Sequence, residues 1–463
     1  MLISLFIVYT TSDVIGSSDR MWDLLKEASV LHPVDGNAGG EYLTMRSQDG
    51  AYIGLVLIGA GFAASVDSQL FQKAIAADPR STSMGYILGG LSWFTIPFVL
   101  ASTFGIVAAG AEHLPQFPTY PNRMTADEVA AGMAMPYAAM TVMGTGGVVA
   151  VLLMIFMAVT SAMSSETVAT TALLAYNLYK AYIHPNATSD DIMRFSHWAT
   201  PGFAVVAAAV AVGFNHVSGF SVGFLIVCVG IVVDSMIVPM ACTIMWKKQS
   251  KLAAILSPVL GSCLGLLAWF VKTKTEQGVI NITTLNAPLP LAAGNMVSLC
   301  SPIILTPLIT YIKPDNFDWN IFHTKIKRDD EEAYEARGEE PQLDAAHDAE
   351  NQTLLLKARN RAIFISVFLT LAFCLLWPIP MYGTGYIFSR GFFKGWVVVL
   401  FFWGFFAAGV ITLLPIWEGK DFIRLMYKYF KGSYVPPNKN EVVEGQDTAE
   451  SSEKGVTIAD KTG

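Results

Sequence analysis

Four short stretches place polar or ionisable side chains inside long apolar runs, where such groups are costly and tend to be functional. The first is Gly59-Ala60-Gly61-Phe62-Ala63-Ala64-Ser65-Val66-Asp67. Two glycines and a run of small residues weaken a helix there. An unwound segment would offer backbone carbonyls and amides to a small polar solute, with Asp67 beside them. The alternative is close helix packing through Gly and Ala, with Asp67 at the membrane boundary. In the second stretch, Thr160, Ser164, Thr167 and Thr171 recur at i, i+4, i+7 and i+11 and share one helix face. Ser161 and Ser165 lie beside them, and Glu166 points elsewhere. Hydroxyl oxygens so arranged suit a monovalent cation or a hydrogen-bonding solute, or they bond back to their own helix. The third is Asp234, with Pro239 about one turn later. A lone intramembrane carboxylate is a proton carrier or ion ligand, or a packing acid kept neutral by burial. The fourth, Ser92 to Pro97, reads as an ordinary proline kink.

No hydrolase triad, phosphate-binding loop, HExxH motif or dinucleotide fingerprint accompanies these groups. The five cysteines, Cys228, Cys242, Cys263, Cys300 and Cys374, lie in apolar runs without CxxC spacing and read as packing residues. We therefore expect neither an enzyme nor a metal or organic cofactor. With no recurring basic block and a net charge of −7, a nucleic-acid partner is not expected.

The elements that must position the polar groups follow from composition. Of 463 residues, 53% are hydrophobic and 14% charged, with mean hydropathy +0.46. A soluble chain carries about 25% charge, so this one cannot cover a water-facing surface. Nine apolar segments are long enough to span a bilayer, at roughly 51–77, 84–110, 146–180, 198–216, 219–247, 252–272, 291–312, 361–381 and 393–416. The run Leu2–Val8 is too short to span and reads as the end of a helix. The acidic stretch 329–350 and the polar tail 440–463 read as solvated, disordered strands. Lys and Arg concentrate in alternate loops, including Lys73, Lys180, Lys247, Lys248, Lys325 and Arg328, and in the tail, which places those segments in the cytoplasm.

A set of longer strings carries a resemblance: QKAIAADP at 72–79, GYILGGLSWFTIPFVLASTFGIVAAG at 85–110, FMAVTSAMSSE at 156–166, YNLYKAYI at 176–183, VPMACTIMWKK at 238–248, AAGNMVSL at 292–299 and KPDNFDW at 313–319. In order and spacing the chain resembles the urea symporters of the sodium:solute symporter family, over residues 1 to about 430. The resemblance implies an all-α, polytopic membrane protein with a LeuT-type inverted-repeat fold. On that template 1–16 end a transmembrane helix, 17–50 form an extracellular loop, and 51–248 make the second five-helix repeat. Residues 249–312 are then two peripheral helices, 313–360 a charged cytoplasmic loop, 361–416 two C-terminal helices, and 417–463 a cytoplasmic tail. Most of the first repeat has no counterpart, so the expectation is an incomplete chain that inserts in part, folds poorly and does not accumulate urea by itself.

Carried over residue by residue, the resemblance implies a solute site along Gly59, Gly61, Phe62, Ser65 and Asp67, and an ion-coupling set of Thr160, Ser161, Ser164 and Asp234. The family's sodium site uses two adjacent hydroxyl residues; here they are Ser161 and Ala162, and a methyl cannot ligate. Proton coupling is therefore expected, with sodium as the alternative. The implied activity is uptake of urea across the plasma membrane. Another solute such as a polyamine, or a sensor that binds solute without moving it, are the alternatives. Lipid is the surrounding partner, and the sequence does not fix an oligomeric state.

The charge rule yields a prediction. Of the three sequons, at Asn186, Asn281 and Asn351, only Asn281 falls on the outer side. Expression in glycosylating cells should give a single glycan that Asn281→Gln removes, whereas a glycan on Asn186 or Asn351 would invert the orientation.

Overall fold

The computed structural model describes residues 1–76, 79–217, 219–319, 321 and 345–431. The acidic stretch up to residue 344 and the tail from residue 432 lie outside the described residues, whereas the end of the acidic stretch, expected to be disordered, opens the helix Ala345–Thr370. Among the described residues there is no β-strand, and nine helices are long and apolar enough to cross a membrane. The sequence boundaries hold within a few residues for most of them. Four differ by eight residues or more: the first span ends at Val66 rather than near residue 77, and the third, fourth and eighth begin at Ala134, Ser189 and Thr353 rather than at 146, 198 and 361.

The chain opens with the short helix α1 (Leu2–Phe6), which widens into a π turn over Ile7–Thr11. The segment expected as an outer loop contains a helix instead, α2 (Ser18–Leu31), started by Ser17, whose side chain accepts a hydrogen bond from the Arg20 amide. Its buried face, Met21, Leu24, Leu25 and Ala28, explains why it orders. Trp22 Nε1 donates to the Phe388 carbonyl at 3.0 Å, Lys394 pairs with Asp19 at 2.7 Å, and Arg390 pairs with Asp23 while stacking over Trp22.

The next helices are α3 (Gln48–Ala63), α4 (Ser68–Ala76) and α5 (Pro79–Leu100), the last running through a π turn at Ala101–Gly105 into α6 (Ile106–Ala111). The Ser92–Pro97 stretch behaves as ordinary membrane helix, with the Thr95 hydroxyl returned to the Leu91 carbonyl at 3.1 Å. Between spans, α7 (Ala126–Ala130) is held by a capping box. Hydrogen bonds from the Thr125 backbone and hydroxyl hold its Glu128 carboxyl below the usual carboxylate range.

The long helix α8 (Ala134–Ala172) follows, then α9 (Ser189–Asn215), α10 (Val222–Val233) and α11 (Ile237–Met245). After them come α12 (Lys251–Gln277), closed by the left-handed Gly278, α13 (Ile282–Leu285) and α14 (Pro288–Ile312). Helices Ala345–Thr370, Pro378–Thr384 and Arg390–Glu418 complete the bundle side.

The described residues up to Gly404 form one compact unit and those from Phe405 another. In the first, one core gathers Leu5, Val8, Leu24, Phe104, Ala138 and Phe393, and a second gathers Val56, Phe224, Ile231, Trp269 and Leu291. Apolar side chains also cover the outside: Phe156, Trp198, Phe364 and Phe402 are each at least 67% exposed, as a hydrocarbon solvent requires and water forbids. In the second unit the helix Lys420–Phe430 follows Gly419, and Lys420 lies 5.2 Å from the Trp417 ring.

A kink inside α8 sits where the sequence shows a glycine cluster. Gly144 has φ 61° and ψ −151°, a conformation open to glycine alone, and a Cβ on Gly147 would stand 2.4 Å from the Ala139 carbonyl oxygen. Gly146, between them, has no atom within 4 Å of a Cβ position. Gly144→Ala and Gly147→Ala should each destabilise the solubilised protein by about 1–3 kcal/mol. Gly146→Ala should leave its thermal midpoint in place. Equal midpoints for all three would exclude the kink.

Candidate functional site

The break in the first broken span forms one turn later than its glycines. Helix α3 stays regular through Gly59 and Gly61; it tightens to a 3-10 turn at Ala64–Val66 and ends at Asp67, whose φ −75° and ψ 120° are extended. The expectation of unwinding from Gly59 is corrected accordingly. A helix can continue across isolated glycines when its neighbours hold it, at a cost near 1 kcal/mol each. What stops it is Asp67: its Oδ1 accepts the Gln69 amide N–H at 3.0 Å, a local bond that competes with the helix ladder and starts α4.

Asp67 also belongs to a side-chain relay. The Gln69 amide Nε2 donates to Asp67 Oδ2 at 2.9 Å and to Glu166 Oε1 on α8 at 2.7 Å, so one amide bridges two carboxylates. Lys73 Nζ reaches Gln69 Oε1 at 3.5 Å, and Gln72 Nε2 reaches the Ala169 carbonyl at 3.3 Å. Gln69 and Gln72, about one turn apart, thereby pin α4 to α8, while Tyr86 bonds the Leu70 carbonyl from α5. Charge-assisted bonds of this kind are the stronger sort. Glu166 lies off the hydroxyl face, and its link to Asp67 arises because α4 brings Gln69 against α8.

The hydroxyl face takes the local alternative. Thr160 donates to the Phe156 carbonyl at 2.8 Å, Ser164 to the Ser161 carbonyl at 2.9 Å, and Thr167 to the Met163 carbonyl at 2.7 Å. Thr160, Ser161 and Ser164 are all exposed. Only Thr171, deeper along the face, meets another helix, 3.1 Å from the Thr200 hydroxyl on α9. The oxygen lone pairs on this face remain open to a cation, but no second set of ligands stands opposite among the described residues.

Asp234 lies elsewhere. It opens a 3-10 turn, Asp234–Met236, that separates α10 from α11. Pro239 lacks the N–H that would bond the Ser235 carbonyl and so favours this break. The side chain is fully buried, and neither carboxyl oxygen has a hydrogen-bond partner. A Cβ on Gly59 would sit 2.6 Å from Asp234 Oδ2, so the carboxyl rests on the bare face of α3. Beside it, Asn295 on α14 is also fully buried.

The nine candidate residues thus divide. Gly59 joins Asp234, and Asp67 joins Glu166 through Gln69. Gly61, Phe62 and Ser65 face outward next to the break, and Phe62 is 46% exposed. Gln69 and Asn295 complete these two groupings. A polar amide within the apolar run 291–312 is the sequence signal for Asn295; the role of Gln69, two residues after Asp67, depends on which helix lies opposite. No group of three metal-ligating side chains occurs among the described residues.

Comparison with known proteins adds the following. The chain is 40% identical over 444 residues to a protein of Schizosaccharomyces pombe named probable urea active transporter 1, covering 95% of this chain and 64% of that one. It is 36% identical over 491 residues to the urea active transporter of Saccharomyces cerevisiae, covering 94% of this chain and 66% of that one. With a urea-proton symporter of Oryza sativa subsp. japonica it shares 32% identity over 439 residues, covering 90% of this chain and 57% of the relative. The chain spans somewhat under two thirds of the length of these relatives. No family model and no solved structure matches it. Along nearly its whole length the chain is similar to proteins named urea active transporters, and its apolar helices make it a multi-pass membrane protein.

Proposed function

We propose that this chain takes part in proton-coupled uptake of urea across the plasma membrane. The observation that carries the reading is the 40% identity, over 95% of the chain, with a relative named as a urea active transporter. The geometry supports it. Urea is small, neutral and polar, with a carbonyl acceptor and four N–H donors. The turn Ala64–Asp67 frees backbone groups from the helix ladder at the end of the chain's first long span. Asp67 and Glu166 add carboxylate acceptors for urea N–H groups, and Gln69 keeps them in place. Gly61, Phe62 and Ser65 would line the approach, while Gly59 serves packing.

Proton coupling is supported by the Oryza relative's name and by Ala162, which leaves Ser161 without a second hydroxyl for sodium. Thr160, Ser161 and Ser164 then serve hydrogen bonding to solute or water, and Asp234 is the carrier with the more secluded position. In this reading residues 51–248 form one five-helix repeat with the remaining spans peripheral, and the C-terminal tail lies in the cytoplasm.

Uptake of labelled urea in cells with none of their own tests the proposal, using this chain alone and joined to an N-terminal extension. Accumulation in either form should collapse with a proton ionophore and ignore external sodium. Asp67→Asn and Glu166→Gln should each lower the rate about tenfold, equivalent to about 1.4 kcal/mol of lost binding. Uptake that tracks sodium at fixed pH would overturn the coupling. Accumulation in neither form would overturn the function.

A further inference from the structure

Asp234 is surrounded by helices that offer it no charge. The turn that carries it packs against α3, α10, α11, α12 and α14. Within their ranges α10, α11 and α14 contain no charged residue; α3 has Asp49 in its first turn, and α12 has Lys251 at its start and Lys272, Lys274 and Glu276 near its end. The remaining titratable side chains of these helices are Tyr52, Cys228, Cys242, Cys263, Cys300 and Tyr311. Neither carboxyl oxygen of Asp234 finds a donor among them.

Asn295 completes the arrangement. Its Nδ2 donates to the Leu291 carbonyl at 2.9 Å, so its Oδ1 can only accept, and that oxygen too is buried without a partner. Both residues converge on Gly230: a Cβ there would stand 2.4 Å from Asn295 Oδ1 and 3.7 Å from Asp234 Oδ2. Three buried acceptor oxygens therefore converge with no protein donor among the described residues. An ionised carboxylate in that setting would be desolvated and would face another partial negative charge. One proton removes both penalties, because a protonated carboxyl becomes a donor and the amide oxygen is its natural acceptor. A hard metal cation would need six or more oxygens, far beyond what two side chains present.

We propose that Asp234 and Asn295 form a buried proton-binding pair whose occupancy is felt by the broken helix α3 through Gly59. The inference rests on the proton-coupled reading above and extends it to a residue outside the five-helix repeat. With the proton bound, the neutral carboxyl packs against Gly59. With the proton gone, the carboxylate needs water or N–H donors, and α3 must move off to admit them. The turn at Ala64–Asp67 lies about 8 Å further along that helix, at 1.5 Å per residue from Gly59.

Infrared spectroscopy of the purified full chain in lipid bilayers at neutral pH tests the pair directly. A carboxylic-acid carbonyl band is expected that shifts on labelling the aspartate carboxyl with carbon-13, which assigns it without any substitution. Asp234→Asn should abolish the band, and Asn295→Leu should move it to higher frequency by removing the acceptor. Exchange of sodium for choline should leave it unchanged. Absence of an aspartate carboxylic-acid band from the unmodified chain, its survival in Asp234→Asn, or its loss on adding sodium would each overturn the proposal. The readout does not depend on transport. The expected band in a chain that moves no urea would count against urea uptake alone, and urea uptake without the band would count against the pair alone.

Discussion

A carboxyl group seated against the bare backbone of a glycine sets the spacing of the interior. Asp234 Oδ2 occupies the volume that any side chain at position 59 would need, and α3 can lie against the α10–α11 turn only because nothing projects there. In hydrocarbon, helices gain little from excluding one another's apolar surface, so close backbone approach and internal polar contacts must hold them. The same device recurs outward from Asp234. A Cβ on Gly265 would stand 2.7 Å from the Ser298 Cβ, one on Gly294 would stand 2.8 Å from the Trp269 Cβ, and one on Gly261 would stand 2.8 Å from the Ser235 Cβ. Along that seam Ser257 meets Thr306 at 2.8 Å and Ser235 meets Ser262 at 2.8 Å. Helices α12 and α14 are thereby locked, and they form the fixed side against which α3 is judged.

Beyond the break that ends α3, α4 is less constrained. The break between them is terminated by an aspartate that bonds its own backbone, and α4 is tied to α8 by amide side chains rather than by close-packed glycines. Side-chain amides can exchange partners at small cost, whereas a backbone seated on a carboxyl cannot slide without strain. The interior thus has a rigid half built on small residues and a half held by exchangeable hydrogen bonds. The candidate solute-binding groups, Asp67, Gln69 and Glu166, fall in the second.

The exposed hydroxyl face of α8 follows from the same economy. A threonine or serine with no partner opposite satisfies its donor on the preceding turn, which costs the helix little and leaves the oxygen able to accept. Thr171 departs from this pattern where α9 comes within reach. Periodicity alone could not distinguish the two situations, because both use the same residues at the same spacing.

From the sequence alone come the nine spans, their approximate ends and the all-helical class, because these depend on composition and on the length of apolar runs, which are local properties. The importance of Asp67 and Asp234 was also legible, since an ionisable residue in an apolar run stands out by itself. The tertiary structure decided which polar groups meet. Gly59 looked like part of a helix break and proved to be a packing surface, because the residue that needs its missing Cβ lies 175 positions away in the chain. Glu166 looked detached and proved to share Gln69 with Asp67, because α4 lies against α8. Asn295 stands out in its apolar run, but its partner became visible only when α14 brought it to Gly230. Helix formation is governed by neighbours in sequence, while the satisfaction of a buried donor or acceptor is governed by neighbours in space, and only the fold supplies those.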